Sequence, residues 1–175
     1  MSEVRMSDAA TSARPLMDKE AVLAEMSAHP AVKAILEWNP AALADAKFDF
    51  GELTLTIVSE EICAAAAALQ KAGYNFFEDL TAVDWYPASP RFQLSYHLLS
   101  IPMKERVRLR AMIEEAIPTI DSITSLWPAA NYYEREVFDL FGIRFEDHPN
   151  MRRILLPDDW KGHPLRKDYP VEGYR

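Results

Sequence analysis

The clearest secondary-structure signals in the chain lie in residues 51–73, GELTLTIVSEEICAAAAALQKAG. Its first eight residues alternate between apolar and polar side chains and are rich in β-branched types, which predicts a strand. Ser59 has the position of a helix N-cap, and two glutamates follow it in the first turn, where the helix dipole favours negative charge. The alanines of residues 64–68 would let the helix lie close to a sheet, and Gly73 ends it. A strand followed by a helix is therefore the predicted centre of the domain.

Downstream of this helix, the pattern predicts three consecutive strands. Residues 76–85 form the first, and residues 92–100 form the second, in which apolar side chains alternate strictly. Residues 106–113 alternate arginines with apolar side chains, which favours a third strand, with a helix as the competing interpretation. The prolines at positions 87 and 90 mark the turn between the first two strands.

Upstream, Asp18 has the position of a cap for a helix that reaches about Trp38. Pro30 interrupts the apolar stripe, so two short helices are as compatible with the sequence as one. The order of elements predicts an α+β fold: a mostly antiparallel mixed sheet with helices packed on it, followed by an extended irregular C-terminal arm. The predicted divisions are a disordered N-terminal extension (1–17), an α+β domain (18–142) and a docking arm (143–175).

Composition excludes several classes of protein. The net charge of −8 argues against nucleic acid as a partner. From Arg144 onward the chain has seven basic and six acidic residues, so the acidity lies in the domain rather than in the arm. Cys63 is the only cysteine, which excludes an intrachain disulfide and an iron–sulfur cluster held by this chain alone. We expect no signal peptide and no membrane span, because no apolar run has the required length.

Residues 132–141, YYEREVFDLF, predict a short helix that is dense in aromatic side chains and carboxylates. Helical geometry places its side chains on two opposite faces. The apolar face holds Tyr133, Val137, Leu140 and Phe141, and the opposite face holds Arg135, Glu136 and Asp139. The apolar arc covers about half of the circumference, so we expect either the following arm or another chain to cover it. Gly142 is placed to end the helix.

Glu134 and Glu136 point about 200° apart on this helix, so they cannot form a paired acid and base on one substrate. Glu134 falls within the apolar arc. A buried carboxylate needs a cationic or N–H partner. We predict that Glu134 pairs with an arginine of the following arm, Arg152 or Arg153.

Motifs for catalysis or cofactor binding are not apparent. His148 and His163 each precede a proline, and the four histidines do not have the i, i+4 spacing of a helical metal pair. The sequence contains no GxGxxG, GxxxxGK[ST] or GxSxG motif. We therefore predict no metal site and no catalytic constellation on this chain.

The arm after Gly142 has no regular period, yet it keeps large apolar side chains among its charges. These are Ile154, Leu155, Leu156, Trp160, Leu165 and Tyr169. Apolar groups of this size are unfavourable in water, so we expect the arm to lie along a surface, its own or a partner's. A solvated charged tail is the alternative. We hypothesise that the arm is ordered only when it is docked, and that proteolysis of the isolated chain clips it early.

Several short sequences together resemble the signature of the C subunit of bacterial NADH–quinone oxidoreductase, the 30 kDa subunit family of respiratory complex I. They are EREVFDLF at 134–141, His148, RRIL at 152–155, and the neighbouring DLTAVD at 79–84, LWPAAN at 126–131, LPDDW at 156–160 and PLRKDYP at 164–170. The resemblance is specific over residues 75–170.

The resemblance implies a non-catalytic subunit of the peripheral arm, on the cytoplasmic side of the bacterial inner membrane. It implies packing against the D subunit, which contributes to the quinone cavity, with the B and I subunits nearby. No cofactor is expected on this chain; FMN, iron–sulfur clusters and quinone would be bound elsewhere in the complex. The residues expected to hold the assembly together are Glu134, Arg135, Glu136, Asp139, His148, Arg152, Arg153, Trp160, Arg166, Lys167 and Asp168.

Two other interpretations stay open. The chain could be the equivalent subunit of a related membrane-bound hydrogenase or formate-oxidising complex. It could also be a stand-alone hydrolase that uses His148 with Asp139 or Glu136, although the spacing of these residues weighs against it.

Overall fold

The structure, a computed structural model, describes residues 16–173. The predicted N-terminal extension therefore lies outside the described residues, apart from Leu16 and Met17. Met17 forms an isolated antiparallel bridge with Phe48 and is buried against the core.

Two short helices open the domain: α1 (Lys19–Glu25) and α2 (Pro30–Trp38). The Asp18 carboxylate caps α1 by accepting a hydrogen bond from the backbone N–H of Ala21. Pro30 occupies the first turn of α2, where its missing N–H costs nothing. The proline therefore separates two helices.

Five strands form the main sheet, in the spatial order β1-β2-β5-β4-β3. Their bounds are β1 (Leu43–Asp49), β2 (Glu52–Ile57), β3 (Phe76–Asp84), β4 (Phe92–Ser100) and β5 (Glu105–Ile113). The three pairs β1–β2, β3–β4 and β4–β5 are antiparallel, and β2–β5 is parallel. This confirms the predicted α+β fold with a mostly antiparallel mixed sheet, and it confirms the strand interpretation of β5.

Helix α3 (Ile62–Lys71) connects β2 to β3 along the chain and begins later than predicted. Ser59 is not its N-cap, because residues 59–61 form a 3₁₀ turn in which the N–H of Glu61 donates to the carbonyl of Val58. The predicted end is confirmed: Gly73 has φ of +101°, and the N–H of Tyr74 donates back to the carbonyl of Leu69.

The core lies on one face of the main sheet. Alternate residues of β4 and β5 point into it and are fully buried, among them Leu94, Tyr96, Leu98 and Leu109. The other face carries the arginines of β5. Helix α4 (Ala130–Phe141) lies against β3, and a parallel pair of three-residue strands, β6 (Thr119–Asp121) and β7 (Arg144–Glu146), lies beside it. No helix within residues 16–173 is long and apolar enough to cross a membrane.

Residues 147–173 contain no helix or strand, and they run over the outer side of α4 to the end of the β3–β4 hairpin. The arm therefore lies along its own domain, which was one of the two predicted possibilities. Its proteolytic sensitivity stays a prediction.

Candidate functional site

Helix α4 turns its apolar face towards the main sheet. The Phe77 ring of β3 contacts Trp127 and Tyr133, with ring centroids 6.2 Å and 5.5 Å apart. Val137 and Phe141 are buried on the same side. The wide apolar arc is therefore covered mainly by this chain's own sheet. The arm covers the polar face instead, so the prediction that the arm or another chain covers the apolar arc is wrong.

Asp139 lies at the centre of the contact between α4 and the arm. Its side chain is fully buried. One carboxylate oxygen accepts hydrogen bonds from three successive backbone N–H groups, those of Ile154, Leu155 and Leu156, at 2.8–3.0 Å. The other accepts from Nη1 of Arg153 at 2.6 Å. Burial alone would raise the pKa of Asp139, but these donors outweigh it and hold the pKa below its ordinary value.

Two arginines complete this contact, which we call the Asp139 lock (Asp139, Arg153 and Arg135). Arg135 donates from Nε and Nη2 to the carbonyls of residues 152 and 153, at 3.1 and 2.9 Å. Arg153 also donates from Nη2 to the carbonyls of Trp160 and Gly162, at 3.0 and 3.1 Å. The fork geometry of arginine lets a single side chain tie together two turns of an irregular segment.

Gly142 is needed where the arm passes the end of α4. It ends the helix with φ of +77°, as predicted, and a Cβ atom there would lie 2.6 Å from Cδ2 of His163. The His163 ring hydrogen-bonds through Nδ1 to the Asp139 carbonyl at 2.9 Å. The Leu165 N–H donates to the carbonyl of Leu140 at 3.1 Å. The arm thus satisfies carbonyls that the helix end leaves open.

A second contact holds the distal part of the arm, and we call it the Arg91 lock (Asp84, Arg91, Glu115 and Asp168). Arg91 is 1% exposed. It donates to both oxygens of Asp84 at 2.9 and 2.7 Å, and to both oxygens of Asp168 at 3.1 and 2.7 Å. Its Nη1 also donates to Glu115 at 2.5 Å. The N–H of Lys167 donates to Asp84 at 2.8 Å, so arm and hairpin share one buried carboxylate.

The pKa shifts of the charged groups in the Arg91 lock agree with this geometry. Burial would raise the pKa of Asp84, but Arg91 and the N–H groups of Lys167 and Tyr86 lower it to about 2. The Arg91 guanidinium holds the pKa of Asp168 well below its usual range. The pKa of Arg91 is raised by the same two carboxylates. All three groups are therefore charged at neutral pH.

The predicted arginine partner of Glu134 is wrong. Glu134 is fully buried and accepts hydrogen bonds from the Ser122 hydroxyl at 2.6 Å and from the N–H of Ile123 at 2.8 Å. Its side chain faces the segment after β6, whereas the arm runs over the other face of α4, so Arg153 reaches Asp139 instead. Because Glu134 has no cationic partner among the described residues, burial raises its pKa to about 7, although Ser122 and Ile123 act in the opposite direction.

Substitution of Glu134 by glutamine should therefore change how stability depends on pH. The raised pKa means that this group's favourable contribution is fully present below the unfolded value, near 4.5, and is lost as pH rises through about 7. Glu134→Gln is neutral at every pH, so above pH 7 it should be more stable than the natural chain by up to about 3 kcal/mol. Urea unfolding at pH 5, 6, 7 and 8 measures this. Glu136→Gln, on the exposed side of the same helix, is the control, and equal pH profiles for the two variants would contradict the prediction.

The other predicted residues have smaller parts in these contacts. His148 accepts from the N–H of Asn150 through Nδ1, at 3.0 Å, and its Nε2 lies 3.3 Å from the Asn131 carbonyl.

Arg166 lies 3.3 Å from Asp168 and 3.4 Å from Glu115. Glu136 is exposed, and Arg152, Trp160 and Lys167 contribute backbone groups to the two locks. No three histidine, cysteine or carboxylate side chains among residues 16–173 are grouped as a metal site requires.

Sequence reasoning missed Arg91, Glu115 and the role of Asp84. A lone arginine between Pro90 and Phe92 gives no pattern, and nothing local shows that it is buried. The available signal was that an aspartate ends one strand while an arginine precedes the next strand of a hairpin. That arrangement allows a pair across the turn, but not the third partner 77 residues away.

The fold and its two locks define a class of protein: an α+β domain that carries an anchored C-terminal arm with charged signature residues. A family model described as "Respiratory-chain NADH dehydrogenase, 30 Kd subunit" matches residues 55–175. The chain belongs to this family.

Curated relatives carry the corresponding name. The C subunit of NADH-quinone oxidoreductase from Citrifermentans bemidjiense is 50% identical over 133 residues, which is 75% of this chain and 83% of the relative. The protein of the same name from Geobacter metallireducens is 46% identical over 82% of this chain and 90% of its own length.

Solved structures extend the likeness. A trypsin-resistant fragment (1–134) of Nqo5 is 34% identical, with a TM-score of 0.55, and the match covers 58% of this chain and 83% of that one. A chain of the membrane-bound sulfane sulfur reductase, an archaeal respiratory membrane complex, is 26% identical with a TM-score of 0.69 over 80% of this chain and 84% of that one.

Proposed function

We propose that this chain is a non-catalytic structural subunit in the peripheral arm of a proton-translocating NADH–quinone oxidoreductase. It would support electron transfer from NADH to quinone by packing against the D subunit, with the B and I subunits nearby. It would lie on the cytoplasmic side of the inner membrane and bind no cofactor itself, while FMN, the iron–sulfur clusters and quinone are held by other subunits. The relatives named as the C subunit, at 44–50% identity, support this assignment.

The observation that carries the docking role is the side of the arm that faces away from the domain. The two locks hold the arm by its backbone and its charged groups; Ile154, Leu156 and Tyr169 are half-buried, and four other large apolar side chains remain exposed. Leu155 is 59% exposed, Trp160 41%, Leu165 50% and Val171 fully. Apolar side chains on a segment that is already held in place lose little conformational entropy on binding, so they suit an interface.

The signature residues support a structural rather than a chemical role. A hydrolase that used His148 with Asp139 would need both side chains free to reach a substrate. The Asp139 carboxylate is occupied by four donors, and both His148 nitrogens lie near backbone partners.

The equivalent subunit of another membrane-bound respiratory complex is the second candidate. The sulfane sulfur reductase chain favours it, with the higher TM-score of the two solved structures. Its identity of 26% is well below that of the oxidoreductase relatives, so the oxidoreductase remains the better supported proposal.

Trypsin should distinguish a docked arm from a free one. We expect the isolated chain to be cut in the arm, first at the exposed Lys161, and the same bond to be protected in the purified complex. Cleavage is followed by mass spectrometry, with the exposed Lys33 of α2 as an internal reference. An equal cleavage rate at Lys161 in the chain and in the complex would refute docking of the arm, and failure of the chain to co-purify with NADH-oxidising subunits would refute the function.

A further inference from the structure

The tip of the β1–β2 hairpin holds an aromatic side chain in an unfavourable backbone conformation. Asp49 and Glu52 pair across the hairpin, which leaves Phe50 and Gly51 as a two-residue turn. Both have positive φ, 50° and 81°, as in the type I′ turns that favour asparagine, aspartate and glycine. Glycine adopts this conformation freely, but in phenylalanine the Cβ atom crowds the following carbonyl.

Phe50 is also unfavourably placed with respect to water, because it is 92% exposed. A single exposed apolar side chain is common and means little alone. Phenylalanine is unfavourable at position 50 for two separate reasons: its backbone has positive φ, and its ring is exposed to water. The turn requires positive φ at this position but does not require phenylalanine, and a residue held in an unfavourable conformation is a pointer to function.

The charges around Phe50 are already paired within the domain. The Lys47 Nζ lies 3.0 Å from an Asp49 oxygen, and Glu52 accepts a hydrogen bond from Arg108. The tip therefore consists of a central aromatic ring with a neutralised polar surround. An exposed aromatic side chain inside a polar rim is the usual anatomy of an interface hot spot.

We propose that Phe50 is an aromatic anchor that inserts into an apolar pocket on a neighbouring protein subunit. The proposal rests on the proposed function, because the partner is another subunit of the oxidoreductase. A protein is favoured over a lipid bilayer. Membrane-surface segments are rich in free basic residues, whereas this chain has a net charge of −8 and the basic side chains near the tip, Lys47 and Arg108, are paired with carboxylates.

Phe50→Asn tests the proposal because its two expected effects have opposite signs. Asparagine tolerates positive φ, so the melting temperature of the isolated chain should rise by roughly 2–4 °C. Loss of the anchor should weaken retention of the chain in the complex at least about tenfold, measured as dissociation during salt washing of membranes. A purely structural residue would change both readouts in the same direction.

Two further variants sharpen the result. Phe50→Leu keeps the apolar group and the strained turn, so it should melt like the natural chain and be retained better than Phe50→Asn. A benzoylphenylalanine at position 50 should cross-link, in the intact complex, to an apolar segment of a neighbouring subunit. Full retention of Phe50→Asn, or cross-links to lipid alone, would overturn the proposal. If the natural chain itself does not co-purify with the complex, the proposed function fails instead.

Discussion

Asp139→Ala is expected to release the first half of the arm from the domain. The substitution removes the acceptor of three successive backbone N–H groups and leaves the partly buried guanidinium of Arg153 without its carboxylate. Removing one partner of a buried charge pair costs about 3–5 kcal/mol. The stranded donors can recover hydrogen bonds to water only if the arm detaches, so the loss should appear as local opening rather than as unfolding of the sheet.

Hydrogen exchange measures this opening directly. The amides of residues 154–156 should lose most of their protection in Asp139→Ala, and the core strand β4 should keep its own. Asp139→Asn retains one oxygen acceptor and should lie between the alanine variant and the natural chain. Glu136→Ala is the matched control, because this exposed carboxylate lies on the same helix three residues away. Continued protection of residues 154–156 would show that the arm is held by other contacts.

Local patterns were sufficient for most of the elements but not for the short ones. Alternation predicted β4 and favoured a strand over a helix for β5, and the proline at position 30 made two short helices one of two alternatives for the N-terminal region. Strands β6 and β7 have three residues each, too few for a period to be visible. Strand β1 contains a bulge near Asp45, which breaks its alternation.

The candidate site, too, was predicted only in part. The sequence correctly indicated that the charges of α4 and the arm interact, and it pointed to Arg153. The predicted carboxylate, Glu134, was the wrong one. Helical geometry shows which residues share a face of α4, but it does not show which face the arm crosses. Residues that are 83 positions apart, such as Asp84 and Lys167, meet only through the complete fold.

Replacement of Arg91 by methionine should destabilise the whole domain. Methionine is apolar and of similar length, so the volume is largely kept while the charge is lost. Asp84, whose side chain is fully buried, would keep only two backbone N–H donors, and Asp168 would lose its anchor. A buried carboxylate without its cation costs about 3–5 kcal/mol, which corresponds to a fall in melting temperature of about 10 °C or more.

The pH dependence of this loss identifies its cause. The pKa of Asp84 is lowered to about 2 in the natural chain, so its contribution to stability is present above the unfolded value of about 3.8 and is lost as pH falls through 2. Without Arg91, burial should raise the pKa of Asp84 instead. The difference in unfolding free energy between the natural chain and Arg91→Met should therefore be largest at neutral pH and should shrink as pH falls below about 4.

Two companion variants separate the domain from the arm. Asp168→Asn should loosen only residues 166–170, because Asp84 retains its bidentate arginine. The double variant Arg91→Met with Asp84→Asn should recover much of the lost stability, because it removes the unpaired buried charge while the amide oxygen still accepts from the N–H of Tyr86 or Lys167. A double variant as unstable as Arg91→Met would mean that the arginine acts through packing on the Tyr86 and Phe92 rings, 4.8 and 5.0 Å away, rather than through Asp84.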